Sequence, residues 1–166
     1  MKKILIALLK PLSFLPALLM MYTIFSFSAQ TGSESSALSE KVTRGIVVTV
    51  NRVTDRDWDH REIEQRVDRY EHYVRKAAHM TEYCLLAITI ALPLYVYGLR
   101  GMALMFLAGI LCVLFAAGDE YHQSMVDSRG PSVRDVGIDS LGALIGILIV
   151  RIFSWIALGG HTRKHR

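Results

Sequence analysis

The sequence has little charge and few of the residues that carry covalent or metal chemistry. Of 166 residues only 20% are charged, two are cysteine and four are proline. The low charge accompanies 52% hydrophobic content gathered in blocks, which excludes an ordinary soluble domain. Neither a His-Glu-x-x-His helix nor a cysteine pair at ligand spacing occurs, so no metal site and no cofactor is expected. The nucleophile elbow of acyl-transfer enzymes is also missing, and no catalytic residue is assigned. Cys84 and Cys112 fall inside apolar runs, where a thiol behaves as a small buried hydrophobe and says nothing about compartment. There is no internal repeat and no low-complexity tract.

What is present is four apolar runs. A bilayer core about 30 Å thick needs roughly 20 apolar residues in helix, and residues 4–27, 77–97, 101–118 and 136–158 approach or meet that length. The chain is therefore expected to be an all-α membrane protein with four transmembrane helices in a single domain over residues 1–166. Lys10 interrupts the first run and is expected to snorkel to the interface. Asp139 and Arg151 lie in the last, with Trp155 suited to an interfacial aromatic belt. Lys2, Lys3 and Ser26-Phe27-Ser28 allow a signal-peptide reading, but the apolar stretch from Ile4 to Phe27 outruns an h-region of about 7 to 15 residues, so a retained span is expected.

Between the first two spans lies a segment of about 48 residues with nine basic and nine acidic side chains. Leu38, Val42, Ile46, Val50 and Val53 recur at helical intervals, as do Ile63, Val67, Tyr70 and Val74, so two amphipathic helices are expected in this long loop, on the membrane surface or roofing the bundle. Asp59 and Glu62 have capping-box spacing, with Trp58 and Ile63 placed as a hydrophobic staple. A connection of about three residues, including Gly98 and Arg100, makes the second and third spans antiparallel neighbours. Before the last span, Gly130-Pro131 signals a turn and Ser132 and Asp135 an N-terminal cap. Gly142 and Gly146 form a small-xxx-small pair, expected to serve packing within the bundle more than dimerisation. The basic tail from His161 to Arg166 could touch anionic headgroups.

Four crossings put both termini and the Arg100 turn on one membrane face and the two longer connections on the other. Lys2, Lys3, Lys10, Arg100, Arg151, Arg163, Lys164 and Arg166 belong to the termini face, and eleven basic residues to the opposite one. The totals are close, but three lysines bracket the first helix, which usually dominates orientation, so cytoplasmic termini are expected.

Read in the direction each span runs, the polar residues converge. The end of the first carries Ser26, Ser28 and Gln30; the start of the second Arg75, Lys76, His79 and Glu82. The end of the third carries Asp119, Glu120, His122 and Gln123; the start of the fourth Arg134, Asp135 and Asp139. All four groups fall at the face away from the termini. His79 and Glu82 share a helix face, as do Asp135 and Asp139. Ionisable groups inside a span must pair, meet water or face the bundle interior, and are functional-site candidates by default. Gln30, Lys76, His79, Glu82, Asp119, Glu120, Gln123, Arg129, Asp135 and Asp139 are the candidate binding cluster. Arg75, Lys76, Arg129 and Arg134 are available to offset the acids. Three other readings stay open: a network that only fixes the bundle, an intramembrane enzyme acting on a lipid-linked substrate through His79, Glu82, Asp119 and Glu120, and a proton path. The last is opposed by the absence of acidic, basic and histidine side chains from Leu85–Tyr97 and Gly101–Ala117.

At these residues the chain resembles the VanZ-like family. The likeness rests on Phe25-Ser26-Phe27-Ser28-Ala29-Gln30, Arg75-Lys76-Ala77-Ala78-His79-Met80-Thr81-Glu82-Tyr83, Asp119-Glu120-Tyr121-His122-Gln123, Arg129-Gly130, Arg134-Asp135 and Asp139-Ser140-Leu141-Gly142. Met80 stands where the family often has Phe and Ala29 where Ser is usual, and neither change touches an ionisable position. The resemblance implies a multi-pass bacterial plasma-membrane protein of the cell envelope and, through the founding member, lowered sensitivity to the glycopeptide antibiotic teicoplanin. Expected partners are membrane lipids and a cell-wall precursor or glycopeptide antibiotic, not nucleic acid. The resemblance supplies no reaction, and the oligomeric state stays open. Cysteine labelling from outside intact cells should find positions 30 and 129 in the same compartment; opposite compartments would break the four-crossing topology.

Overall fold

The computed structural model describes residues 9–127, 130 and 132–159, with 157–159 as backbone only. The first residues of the expected first span, Arg129, Pro131 and the basic tail lie outside the described residues. A short 3-10 turn, Lys10–Phe14, leads into α1 (Leu15–Ser28), followed by α2 (Gly32–Val53), α3 (His60–Val96), α4 (Gly101–Gln123) and α5 (Val133–Gly159). Among the described residues there is no strand. Four helical stretches are long and apolar enough to cross a membrane: Lys10–Ser28, His60–Val96, Gly101–Gln123 and Val133–Ile156.

Local chemistry explains where the helices begin and end. Asp59 Oδ1 accepts the Glu62 N–H at 2.8 Å and Glu62 accepts the Asp59 N–H at 3.1 Å, forming the capping box expected there. Thr31 and Glu34 form a second box at the start of α2 that the sequence reading did not anticipate. The Thr31 backbone N–H and hydroxyl both donate to Glu34, and they hold its carboxyl below the usual carboxylate range. Ser132 caps α5, its Oγ accepting the Asp135 N–H at 3.2 Å. The α3–α4 turn places Gly98 at φ 103° and Gly101 at φ 57°, conformations that glycine adopts without a Cβ penalty.

The two amphipathic segments are both helical, but the second is not a separate element. It runs unbroken into the second span as α3, 37 residues long, or about 55 Å at 1.5 Å per residue. No proline or glycine occurs in α3 before Pro93, so nothing in its sequence would kink the charged half down onto the membrane plane. α2 packs antiparallel along this half. Arg75 Nη2 donates to Ser36 Oγ at 2.7 Å, Ser39 Oγ donates to Glu71, Arg44 Nη2 donates to Glu64 at 2.7 Å, and Asn51 Oδ1 accepts the Trp58 N–H at 3.1 Å. The buried face of α2 is Ser39, Thr43 and Val47, meeting buried Val67. Leu38, Val42, Ile46, Val50 and Val53 are exposed. A ladder of polar pairs, not the apolar stripe, thus decides which side of α2 meets α3.

Within the bundle small residues supply about half of the interior, and large apolar ones crowd the exterior. The core is Ala17, Ile24, Tyr83, Leu86, Ala87, Ile90, Ala108, Cys112, Ala116, Ala143 and Ile147, while Leu19, Phe106, Leu114 and Phe153 are exposed. That inversion suits a lipid surround, in which helices associate by close packing of small residues. The tightest approach is α5 against α3. A Cβ on Gly142 would lie 2.8 Å from Met80 Cα and closer still to the Met80 carbonyl oxygen; one on Gly146 would press on the Cys84 carbonyl and reach Ala87 Cβ at 3.0 Å. The glycine pair therefore serves packing inside this bundle. Replacing Gly142 with Ala should lower stability in detergent unfolding by about 1–3 kcal/mol, the usual cost of overpacking. Gly137→Ala, which meets nothing within 4 Å, should stay within about 0.5 kcal/mol.

Candidate functional site

The polar residues of the four spans meet at the end of the bundle where α1 and α4 finish and α3 and α5 enter it. They form two layers. The deeper is a sealed knot around Asp119. Its Oδ2 accepts hydrogen bonds from Ser28 Oγ at 2.7 Å, Gln123 Nε2 at 3.0 Å and Tyr83 OH at 3.3 Å, and Gln123 Nε2 also donates to Ser28 Oγ at 2.9 Å. Ser28, Tyr83 and Asp119 are at most 3% exposed. The knot ties α1, α3 and α4 together, and it satisfies donors that hydrocarbon could not. Asp119 Oδ1 is buried with no hydrogen-bond partner among the described residues.

The outer layer is open. A polar cleft of about 180 Å³ is lined by Ser35, His72, Arg75, Lys76, His79, Glu120, Gln123, Gly130 and Asp135. Lys76 pairs with Asp135, which joins α3 to α5. Glu120 accepts the Ser132 N–H at 2.6 Å and so holds the segment before α5 against α4. His79 Nδ1 lies 3.8 Å from Glu82 Oε2. Asp139 is buried and lines a small recess with Lys76, His79, Glu120, Gln123 and Asp135.

Beside this cleft runs a mostly apolar groove of about 180 Å³ between the end of α1, the start of α2 and α3. Phe27, Leu38, Val42, Val74 and Ala78 line it with Gln30 and Glu82, and it shares Ser35, Arg75 and His79 with the cleft. The start of the α2 stripe thus has a use, as one wall of a groove that passes from apolar to polar. The Gly32 N–H reaches the Asp127 carbonyl at 3.4 Å, bringing the α1–α2 connection against the α4–α5 loop.

Of the sequence candidates, Lys76, His79, Glu120, Gln123 and Asp135 border the cleft, Asp139 its recess, and Gln30 and Glu82 the groove. Asp119 is shut away beneath them, and Arg129 lies outside the described residues. Arg134 is exposed and makes no ion pair among the described residues, and Arg75 is engaged by Glu71 and Ser36. Tyr83 was not anticipated as a site residue. Its signal was available: a tyrosine in an apolar span needs a partner for its hydroxyl. Ser28 was noted only as polar; at four residues past buried Ile24 and eleven past buried Ala17, it shares their helix face. Among the described residues no three His, Cys, Asp or Glu side chains converge as a metal ligand set. Of the four groups named for catalysis, His79, Glu82 and Glu120 border the cleft or the groove and Asp119 does not.

A family model described as VanZ/LLP1 matches residues 13–154, which covers every element of both layers. No curated protein and no solved structure matches the chain. Asp119→Ala should destabilise the folded protein by several kcal/mol, because removing the shared acceptor strands three buried donors at about 1–3 kcal/mol each. Ser28→Ala, which removes one donor and one acceptor of Gln123 Nε2 but leaves Gln123 and Tyr83 on Asp119, should cost less, about 1–2 kcal/mol. Thermal unfolding in detergent separates the two.

Proposed function

This chain belongs to the VanZ/LLP1 family, and from that premise we propose that it is a non-catalytic protein of the bacterial cell envelope that holds an amphiphile at the outer membrane face. The polar head, a phosphate or carboxylate, enters the cleft beside Lys76 and His79, and the alkyl tail lies in the groove of Phe27, Leu38, Val42 and Val74. The observation that carries this reading is that cleft and groove adjoin, sharing Ser35, Arg75 and His79 as a common wall. A salt-bridge network that merely fixed the bundle would need neither opening. Two ligands share this chemistry: a lipid-linked wall precursor and an acylated glycopeptide such as teicoplanin. Capture of either would lower sensitivity to the antibiotic, and cytoplasmic termini would put the cleft where both are met.

A charge exchange separates binding from scaffolding. Lys76→Asp with Asp135→Lys preserves an ion pair across α3 and α5 but relocates the cation. The expected outcome is a protein with unaltered unfolding temperature whose binding of teicoplanin in proteoliposomes falls about tenfold, the loss of one charge-assisted contact. A glycopeptide without the acyl chain should bind weakly to both forms. Retained binding and retained antibiotic tolerance in the exchanged protein would reduce the cleft to scaffolding. Turnover of a lipid-linked precursor that vanished with His79→Ala would replace binding by catalysis.

A further inference from the structure

We infer that the opposite end of the bundle, the one bearing the termini, holds one anionic phospholipid between α3, α4 and α5, with its phosphate at Arg100 and Arg151 and an acyl chain along the apolar trough beside them. This position lies at the far membrane face from the cleft and is independent of the function proposed for it.

Two adjoining spaces make the geometry. A cavity of about 270 Å³ is bordered by Tyr95, Arg100, Leu104, Arg151, Ser154 and Trp155. Against it lies a trough of about 430 Å³ walled by Ile88, Leu92, Val150 and Phe153, and the two share Tyr95, Leu104, Val150 and Ser154. The result is a cationic mouth with aromatic edges above an apolar channel, the shape of a lipid cut at its headgroup.

Charge selects the kind of lipid. Arg100 is held in place: its Nη1 donates to the Leu99 carbonyl at 2.7 Å and to the Tyr95 carbonyl, and its guanidinium carbon stands 3.5 Å from the Tyr95 ring centroid. Carbonyls and a ring face orient that cation but do not neutralise it. Arg151 makes no ion pair among the described residues. The nearest acids along the flanking helices are Glu82 on α3 and Asp139 on α5, the latter twelve residues or about 18 Å away. A zwitterionic lipid would find no acid for its ammonium, whereas an anionic phosphate meets two guanidinium forks at the depth where basic pockets between spans take anionic headgroups. The trough argues against a soluble phosphate compound, since its walls would remain unfilled.

The test uses the full chain carrying Trp58→Phe. Trp58 lies in the α2–α3 connection, so the change leaves Trp155, at the cavity, as the single tryptophan of the two. The protein is placed in nanodiscs of phosphatidylcholine with a minor fraction of phosphatidylglycerol, and bromine is carried on the acyl chains of one lipid or the other. At equal mole fraction, brominated phosphatidylglycerol should quench Trp155 several-fold more strongly than brominated phosphatidylcholine. Arg151→Gln should lower that preference roughly fivefold, equivalent to about 1 kcal/mol per basic residue at a headgroup. Arg151→Lys should keep part of it, having the charge without the fork. Lys10→Gln removes a cation from the same face outside the cavity and should leave the preference intact. If Arg151→Gln does not fold, Ser154→Leu fills the cavity without changing charge and should abolish the preference. Equal quenching by the two lipids overturns the inference, as does a loss with Lys10→Gln as large as that with Arg151→Gln, which would mark a diffuse surface field.

Discussion

The contact on which the rest of the molecule depends is the backbone approach of α5 to α3 at Gly142 and Gly146. Hydrocarbon offers helices no hydrophobic reason to associate, so close packing has to supply it. With Met80 and Cys84 as the facing positions, the register of two parallel helices is set by two i,i+4 pairs, 142 with 146 and 80 with 84. One turn or two towards the end where α3 and α5 enter the bundle, that same register delivers Asp135 to Lys76 and places Asp139 in the recess with His79 and Glu120. The ion pair is thus a consequence of the glycine contact. A shift of one residue would move the acids off the stripe and strand them in lipid, where an unpaired ionisable group is costly.

Every Asp and Glu of the chain belongs to the face away from the termini, and Lys10, Arg100 and Arg151 are the only charged side chains at the other end among the described residues. The two ends therefore handle charge differently. At the acidic end cations and carboxylates pair with one another, Lys76 with Asp135 and Arg75 with Glu71. At the basic end no acidic side chain among the described residues pairs with the arginines; backbone carbonyls and the Tyr95 ring hold Arg100 in place. Lys10, with its Nζ 5.6 Å from the Tyr97 ring centroid, keeps to the same aromatic level.

The α2–α3 hairpin shows how polar pairing can override an apolar pattern. Leu38, Val42, Ile46 and Val50 make a regular stripe, and burial of that stripe against α3 would be the default in water. Arg44–Glu64, Ser39–Glu71 and Arg75–Ser36 instead bring the small polar face inward, and only Leu38 and Val42 gain neighbours, as a wall of the groove. The projecting half of α3 has the same origin: its sequence reads as a surface helix because half of each turn is charged, yet it contains no residue that would end a helix before the span begins.

Much of this architecture is legible in the residues alone. Hydrocarbon thickness turns four apolar runs into four spans, the parity of crossings gathers Ser28, Glu82, Asp119 and Asp139 at one end, and capping chemistry marks the starts of α3 and α5. These follow from chain-local rules of length, periodicity and side-chain chemistry, which a linear sequence expresses in full. Tertiary structure alone decided that Asp119 is sealed while Glu120, its neighbour, borders the cleft. Helix rotation about its axis separates adjacent residues by about 100°, and that rotation is set by partners more than eighty positions away: Ser28 on α1 lies 91 residues from Asp119. The same holds for α2, whose inward face is chosen by residues of another helix.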